Sequence, residues 1–139
     1  MSKVLEIAAA NMVALKLQAK CFHLNVTGPR FYSDHKTYDG IAEMADEWFD
    51  TLAERLRALS VKVPSSLEWA QDASMLSDSA DEDSDADSMA ECMVESLETF
   101  IDYLRKNYEA KGLDVASSNM LQEVETDLGK QLYFVRSSL

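Results

Sequence analysis

Leu5, Ala8, Met12, Leu15, Ala19, Phe22 and Val26 recur at alternating spacings of three and four residues, which places them on one stripe of an α-helix. That helix must stop at Gly28-Pro29, because proline disfavours helical geometry in the residue before it and has no N–H to donate. A second stripe, Tyr38, Ile41, Ala45, Trp48, Phe49, Leu52, Leu56 and Leu59, predicts a second helix with Ser33 or Asp34 as N-cap and an end before Pro64. Met89, Met93, Leu97, Phe100, Leu104 and Tyr108 predict a third helix, with Lys111-Gly112 as its C-terminal stop. Leu121, Val124, Leu128, Leu132 and Val135 predict a fourth. Between the second and third, residues Ser65 to Met75 allow a short helix anchored by Trp69.

Four amphipathic helices with one long connection after the second describe an all-α chain, a ferritin-like four-helix bundle with a long crossover. At 139 residues and 47% apolar composition, the expectation is a single domain over residues 1–139. Lys3, Glu6, Asn11, Lys16 and Lys20 interrupt the N-terminal segment, which argues against a membrane span or a secretory leader, so a cytoplasmic setting is expected. Cys21 and Cys92 lack metal-type spacing and read as reduced thiols. A formal charge of −12 disfavours nucleic acid and anionic lipid and favours cationic ligands. The acidic run from Ser77 to Ser88 reads as a solvated loop whose acids complement the dipole of the next helix, with an electrostatic lure for cations as the alternative.

Both histidines of the chain lie near the first turn signal, at positions 23 and 35. At about 100° per residue, His35, Asp39, Asp50 and Glu54 point about 140° away from the second helix's apolar stripe. They cannot line the core of their own bundle. His35 with Asp39, and Asp50 with Glu54, are i, i+4 pairs able to share one ion, but the pairs stand about 16 Å apart along the axis. One chain cannot close one site from both. A two-fold axis between Met44 and Ala45 can, since residues whose numbers sum to 89 then lie level: His35 with Glu54, Asp39 with Asp50. Each of two identical sites would draw His35 and Asp39 from one chain and Asp50 and Glu54 from the other, with His23 in reach. Imidazole with carboxylates suits Fe(II), Zn(II) or Mn(II). Against this stands the plain alternative of a solvated, salt-bridged helix face.

The stretch from His23 to Arg55, "HLNVTGPRFYSDHKTYDG" followed by "DTLAERLRAL", resembles the Dps miniferritins, also called DNA-binding proteins from starved cells. Their signature reads H-W-N-V-x-G-x-x-F-x-x-x-H-x-x-x-D, then D-x-x-A-E-R. "DLGKQLYFVRSSL" resembles their closing helix. The resemblance implies a dodecameric hollow shell built from two-fold dimers. It implies ferroxidase centres at those two-folds, with His23, His35, Asp39, Asp50 and Glu54 as iron ligands and catalytic residues. Fe(II) would be oxidised to Fe(III), preferably by hydrogen peroxide and otherwise by oxygen, and Zn(II) is a possible substitute ion. A shell that only sequesters metal, or a nucleoid protein that binds DNA non-specifically, are the competing functions. The second is disfavoured because Lys3 and Arg136 are the only cations the two chain ends offer outside the helical stripes. Leu24 stands where the family has tryptophan, with Trp48 as a candidate substitute. Asp114 matches an acid of the pore through which iron enters, and Asn119 replaces another.

Overall fold

In a computed structural model the chain is described at every residue except Met1 and Ser77, and at Ser2 by its backbone alone. Ser77, the first residue of the acidic run, therefore lies outside the described residues. Five helices follow in order: α1 (Ser2–Asn25), α2 (Phe31–Ala58), α3 (Leu67–Ala73), α4 (Ala86–Asn107) and α5 (Val115–Arg136). No strand occurs among the described residues. The four long helices are the expected bundle, and α3 is the short helix expected in the crossover. Ser66 caps it by accepting from the Trp69 N–H at 3.1 Å, and the Trp69 indole packs on the core. Among the described residues no helix is long and apolar enough to cross a membrane.

The stripes read from the sequence are the core. Leu5, Met12, Leu15, Phe22, Ile41, Leu52, Leu56, Met93, Phe100, Leu121 and Leu128 are fully buried, in one cluster where the four long helices meet. Helix α1 runs along α2, and α4 along α5. Tyr103 reaches the Val4 carbonyl and the Gln18 amide reaches Cys92 Sγ at 3.4 Å, so α1 and α4 cross antiparallel. The buried Asn11 accepts from the Met75 N–H at 3.0 Å, which pins the crossover to α1. No disulfide joins Cys21 and Cys92. Leu59, expected in the α2 stripe, is instead 40% exposed, because α2 has ended at Ala58 and the chain turns through Ser60 at φ +66.

Two boundaries depart from expectation. Helix α2 begins at Phe31, ahead of Ser33 and Asp34, because Gly28 at φ +105 closes a turn onto the Phe31 N–H (3.0 Å) and launches the helix at once. Asp34 then sits buried in the first turn beside Arg30, whose guanidinium also reaches Asp87 at 3.0 Å and ties α2 to α4. Helix α4 stops at Asn107, short of Lys111-Gly112. The Asn107 amide donates to the Tyr103 carbonyl at 2.7 Å, and two successive turns carry the chain to Leu113. At the end of the acidic run Asp85 caps α4, accepting from the Ser88 N–H at 2.7 Å, which is the dipole role expected of the run.

Asp114 caps α5. Its carboxylate accepts from the Ser117 hydroxyl and N–H and from Arg55 of α2. Hydrogen bonds from Ser117, with the Arg55 guanidinium adding to them, hold its carboxyl below the usual carboxylate range. A carboxylate with a depressed folded value stabilises fully above its unfolded value, roughly pH 4, and loses that contribution as pH falls through the lower one. Asp114→Ala is expected to lower the thermal midpoint by roughly 5 °C at neutral pH. The gap should hold to about pH 5 and close below about pH 4. Melts across that range check it, and a gap undiminished at about pH 3 would refute the cap's ionic character.

Candidate metal centre

Helix α1 ends two residues after His23, and His35 lies in the second turn of α2. The Gly28-Pro29 turn folds one helix back on the other, so the two rings meet. They stack with centroids 3.8 Å apart and planes 16° from parallel. Each ring is fixed by the other's backbone: His23 Nδ1 lies 2.8 Å from the His35 carbonyl, and His35 Nδ1 lies 2.7 Å from the His23 carbonyl. A carbonyl oxygen only accepts, so each Nδ1 is the donor. Each neutral ring therefore keeps its lone pair on Nε2, the atom a metal takes. Phe31, one turn before His35, stacks on that ring at 5.0 Å.

Asp39 is one turn beyond His35. Its Oδ1 lies 3.9 Å from His23 Nε2 and 2.8 Å from Lys20 Nζ. The hydrogen bond from Lys20, with the charge of its ammonium, holds the Asp39 carboxyl below the usual range. Asp39 is thus anionic at neutral pH, and a metal ion drawing on it must displace an ammonium. Asp50 and Glu54 are exposed on α2 and have no hydrogen-bond or ion-pair partner among the described residues. Among the described residues no three His, Cys, Asp or Glu side chains converge as a metal site within one chain. The five candidates stand as two groups, His23, His35 and Asp39 at one end and Asp50 and Glu54 at the other, as the axial spacing requires.

Several residues singled out for other reasons find their places. Leu24 is 70% exposed beside His23. Trp48 packs against the core, and its indole N–H donates to Asp127 of α5 at 2.7 Å. Asp114 is occupied as a helix cap, and Asn119 is exposed on α5. Lys20 escaped the sequence reading. The available signal was its position three residues before His23, one helical turn away on α1, but which acid it meets depends on how α1 and α2 pack.

Residues 3–139 match the Ferritin family, described as the ferritin-like domain. The chain is 28% identical over 135 residues to a DNA protection during starvation protein of Brevibacillus brevis, covering 94% of this chain and 88% of that protein. It superposes on Dps from Staphylococcus aureus with a TM-score of 0.93 at 25% identity, covering 99% of this chain and 93% of the other. A Dps protein from Bacillus brevis superposes with a TM-score of 0.91 at 24% identity, covering 98% and 92%, a likeness of fold. With the family match running over almost the full length, the relatives in agreement and the bundle superposing, the chain belongs to the ferritin-like domain family, as a Dps miniferritin.

Proposed function

We propose that this chain is the subunit of a ferroxidase and iron store. It takes Fe(II) as substrate at sites completed across a two-fold interface, oxidises it preferably with hydrogen peroxide, and holds the ferric product inside a dodecameric shell. One observation carries the reading. Two imidazoles are locked through Nδ1 so that both Nε2 lone pairs stay available, beside an ionised Asp39, on a helix face that the bundle leaves uncovered. Asp50 and Glu54 lie on the same face without partners among the described residues. Under the two-fold they stand level with the second chain's Asp39 and His35.

The donor set is borderline to hard, which suits Fe(II), with Zn(II) as a substitute ion. Glu54 chelates or bridges, Asp50 and His35 complete the metal's ligands, and Asp39 with His23 completes or orients them. Each Fe(II) gives up one electron, and cleavage of one peroxide O–O bond takes two, yielding hydroxide. Both reagents that generate hydroxyl radical are consumed. Lys20 holds Asp39 charged and in place until iron displaces it. A shell that sequesters metal without turnover is distinguished by ferric absorbance after aerobic Fe(II) addition, with and without peroxide.

Glu54→Ala and Asp50→Ala are expected to slow peroxide-dependent Fe(II) oxidation at least about tenfold while the shell still assembles, since neither side chain packs in the core. Unchanged ferric absorbance kinetics in an intact Glu54→Ala shell would move the site elsewhere. A mixing experiment addresses the shared site directly. His35→Ala and Asp50→Ala chains, each nearly inactive alone, are co-assembled in equal amounts. About half the dimers are then mixed, and one site in each is whole, so roughly a quarter of wild-type sites should return. Activity that stays at the single-variant level, in assemblies shown by mass spectrometry to be mixed, would eliminate a site built from two chains.

Protection of DNA by such a shell rests on removing iron and peroxide rather than on covering the duplex. With a charge of −12 per chain repeated over an oligomer, no retention of plasmid DNA is expected in a gel shift at about 150 mM salt without divalent cations. A retained band under those conditions would show that the reading of the surface is wrong.

A further inference from the structure

The uncovered face of α2 carries more than the site residues. Glu43 and Asp46 lie about 30° to either side of the mean direction of His35, Asp39, Asp50 and Glu54, and both are exposed. Their numbers also sum to 89, so each Glu43 stands level with the second chain's Asp46, about 2 Å along the helix from the two-fold axis. Antiparallel packing of α2 on its copy would therefore gather four carboxylates at the crossing point, midway between the two metal centres. Desolvating like charges together opposes association.

Helix α1 supplies the compensating charge. Lys16 Nζ lies 2.7 Å from Asp46 Oδ1, one helical turn before Lys20, which makes the equivalent bond to Asp39. The side chains of Lys16 and Asp46 are 42% and 57% exposed, and an ion pair so open to water adds little to the stability of a lone chain. Its surroundings point to a covered state. Leu17 is 60% exposed and Leu67 82% exposed, and both rim the same cavity as Lys16 and Asp46. Exposed apolar side chains thus flank the Lys16–Asp46 pair.

We propose that Lys16 is the charge that allows α2 to pack against a second copy of this chain, by neutralising Asp46 at the crossing point. The inference rests on the two-fold reading above. It makes assembly depend on an α1 residue that ligates no metal. Without Lys16 the crossing point holds four negative charges and no positive ones, a repulsion that salt can screen.

The test uses the full-length chain and measures particle mass at about 10 mM and about 500 mM salt, where the screening length falls from about 30 Å to under 8 Å. Wild type should assemble at both. Lys16→Gln should need at least about tenfold more chain for half-assembly at low salt and recover at high salt. Lys16→Gln with Asp46→Asn should assemble at both. Circular dichroism checks that the variant chains remain helical. Lys16→Gln assembling like wild type at low salt overturns the proposal. A Glu43→Cys chain separates this failure from failure of the two-fold itself, because oxidation should link the two copies across the axis while wild type stays unlinked. No link in an assembled Glu43→Cys particle rejects the axis and the proposal with it. A link together with a salt-indifferent Lys16→Gln rejects the role of Lys16 alone.

Discussion

Two hydrogen bonds running in opposite directions between His23 and His35 join the end of α1 to the start of α2. The His23 carbonyl is in the last turn of α1, where its helical partner would fall beyond Asn25, and His35 Nδ1 supplies the missing donor. One imidazole thus caps a helix and fixes its own tautomer in the same bond. The reciprocal bond fixes the other ring. The stacked pair, the direction of both Nε2 atoms and the closeness of Asp39 all follow from this junction, which in turn requires Gly28 at a φ that an L side chain rarely adopts.

Helix α2 serves two masters on opposite faces. Its apolar side fills the core with Ile41, Leu52 and Leu56, and Trp48 binds Asp127 across the bundle. Its polar side carries His35, Asp39, Glu43, Asp46, Asp50 and Glu54, of which His35 packs on His23 of α1 and the acids lie outside the apolar core. A helix with this division can be stable in the monomer and still present an ordered row of ligands, because burial of one face holds the other in register. Lys16 and Lys20 of α1 reach over that row to Asp46 and Asp39, so α1 positions the row's charges as well as its backbone.

The distribution of cations says something further about partners. Arg30 is taken up by Asp34 and Asp87, Arg55 by Asp114, Arg105 by Glu125 and Arg136 by Glu98. Arg30 with Asp87 ties the start of α2 to α4, Arg55 with Asp114 ties α2 to the cap of α5, and the pairs of Arg105 and Arg136 tie α4 to α5. Lys36 lies over the Tyr32 ring and Lys130 over Phe134. Much of the chain's positive charge is thus engaged internally, and the −12 balance faces outward, which favours attraction of cations over contact with phosphate.

The order and type of every long helix, most core residues and the polar face of α2 were legible in the sequence, because helical periodicity is a local property that side-chain character records directly. The incompatibility of the two ligand groups within one chain was legible too, since it needs only the rise per residue. Other features depended on contacts between segments distant in the chain. The capping of α5 by Asp114, held by Ser117 and Arg55, is one, and the end of α4 ahead of Gly112, where Asn107 turns back on Tyr103, is another. Lys20 gave no sign of its acid, and His23 and His35 gave no sign that they would lock each other. A sequence lists donors and acceptors, but which of them meet is set by how helices rotate and slide when the core closes, and that is a property of tertiary packing alone.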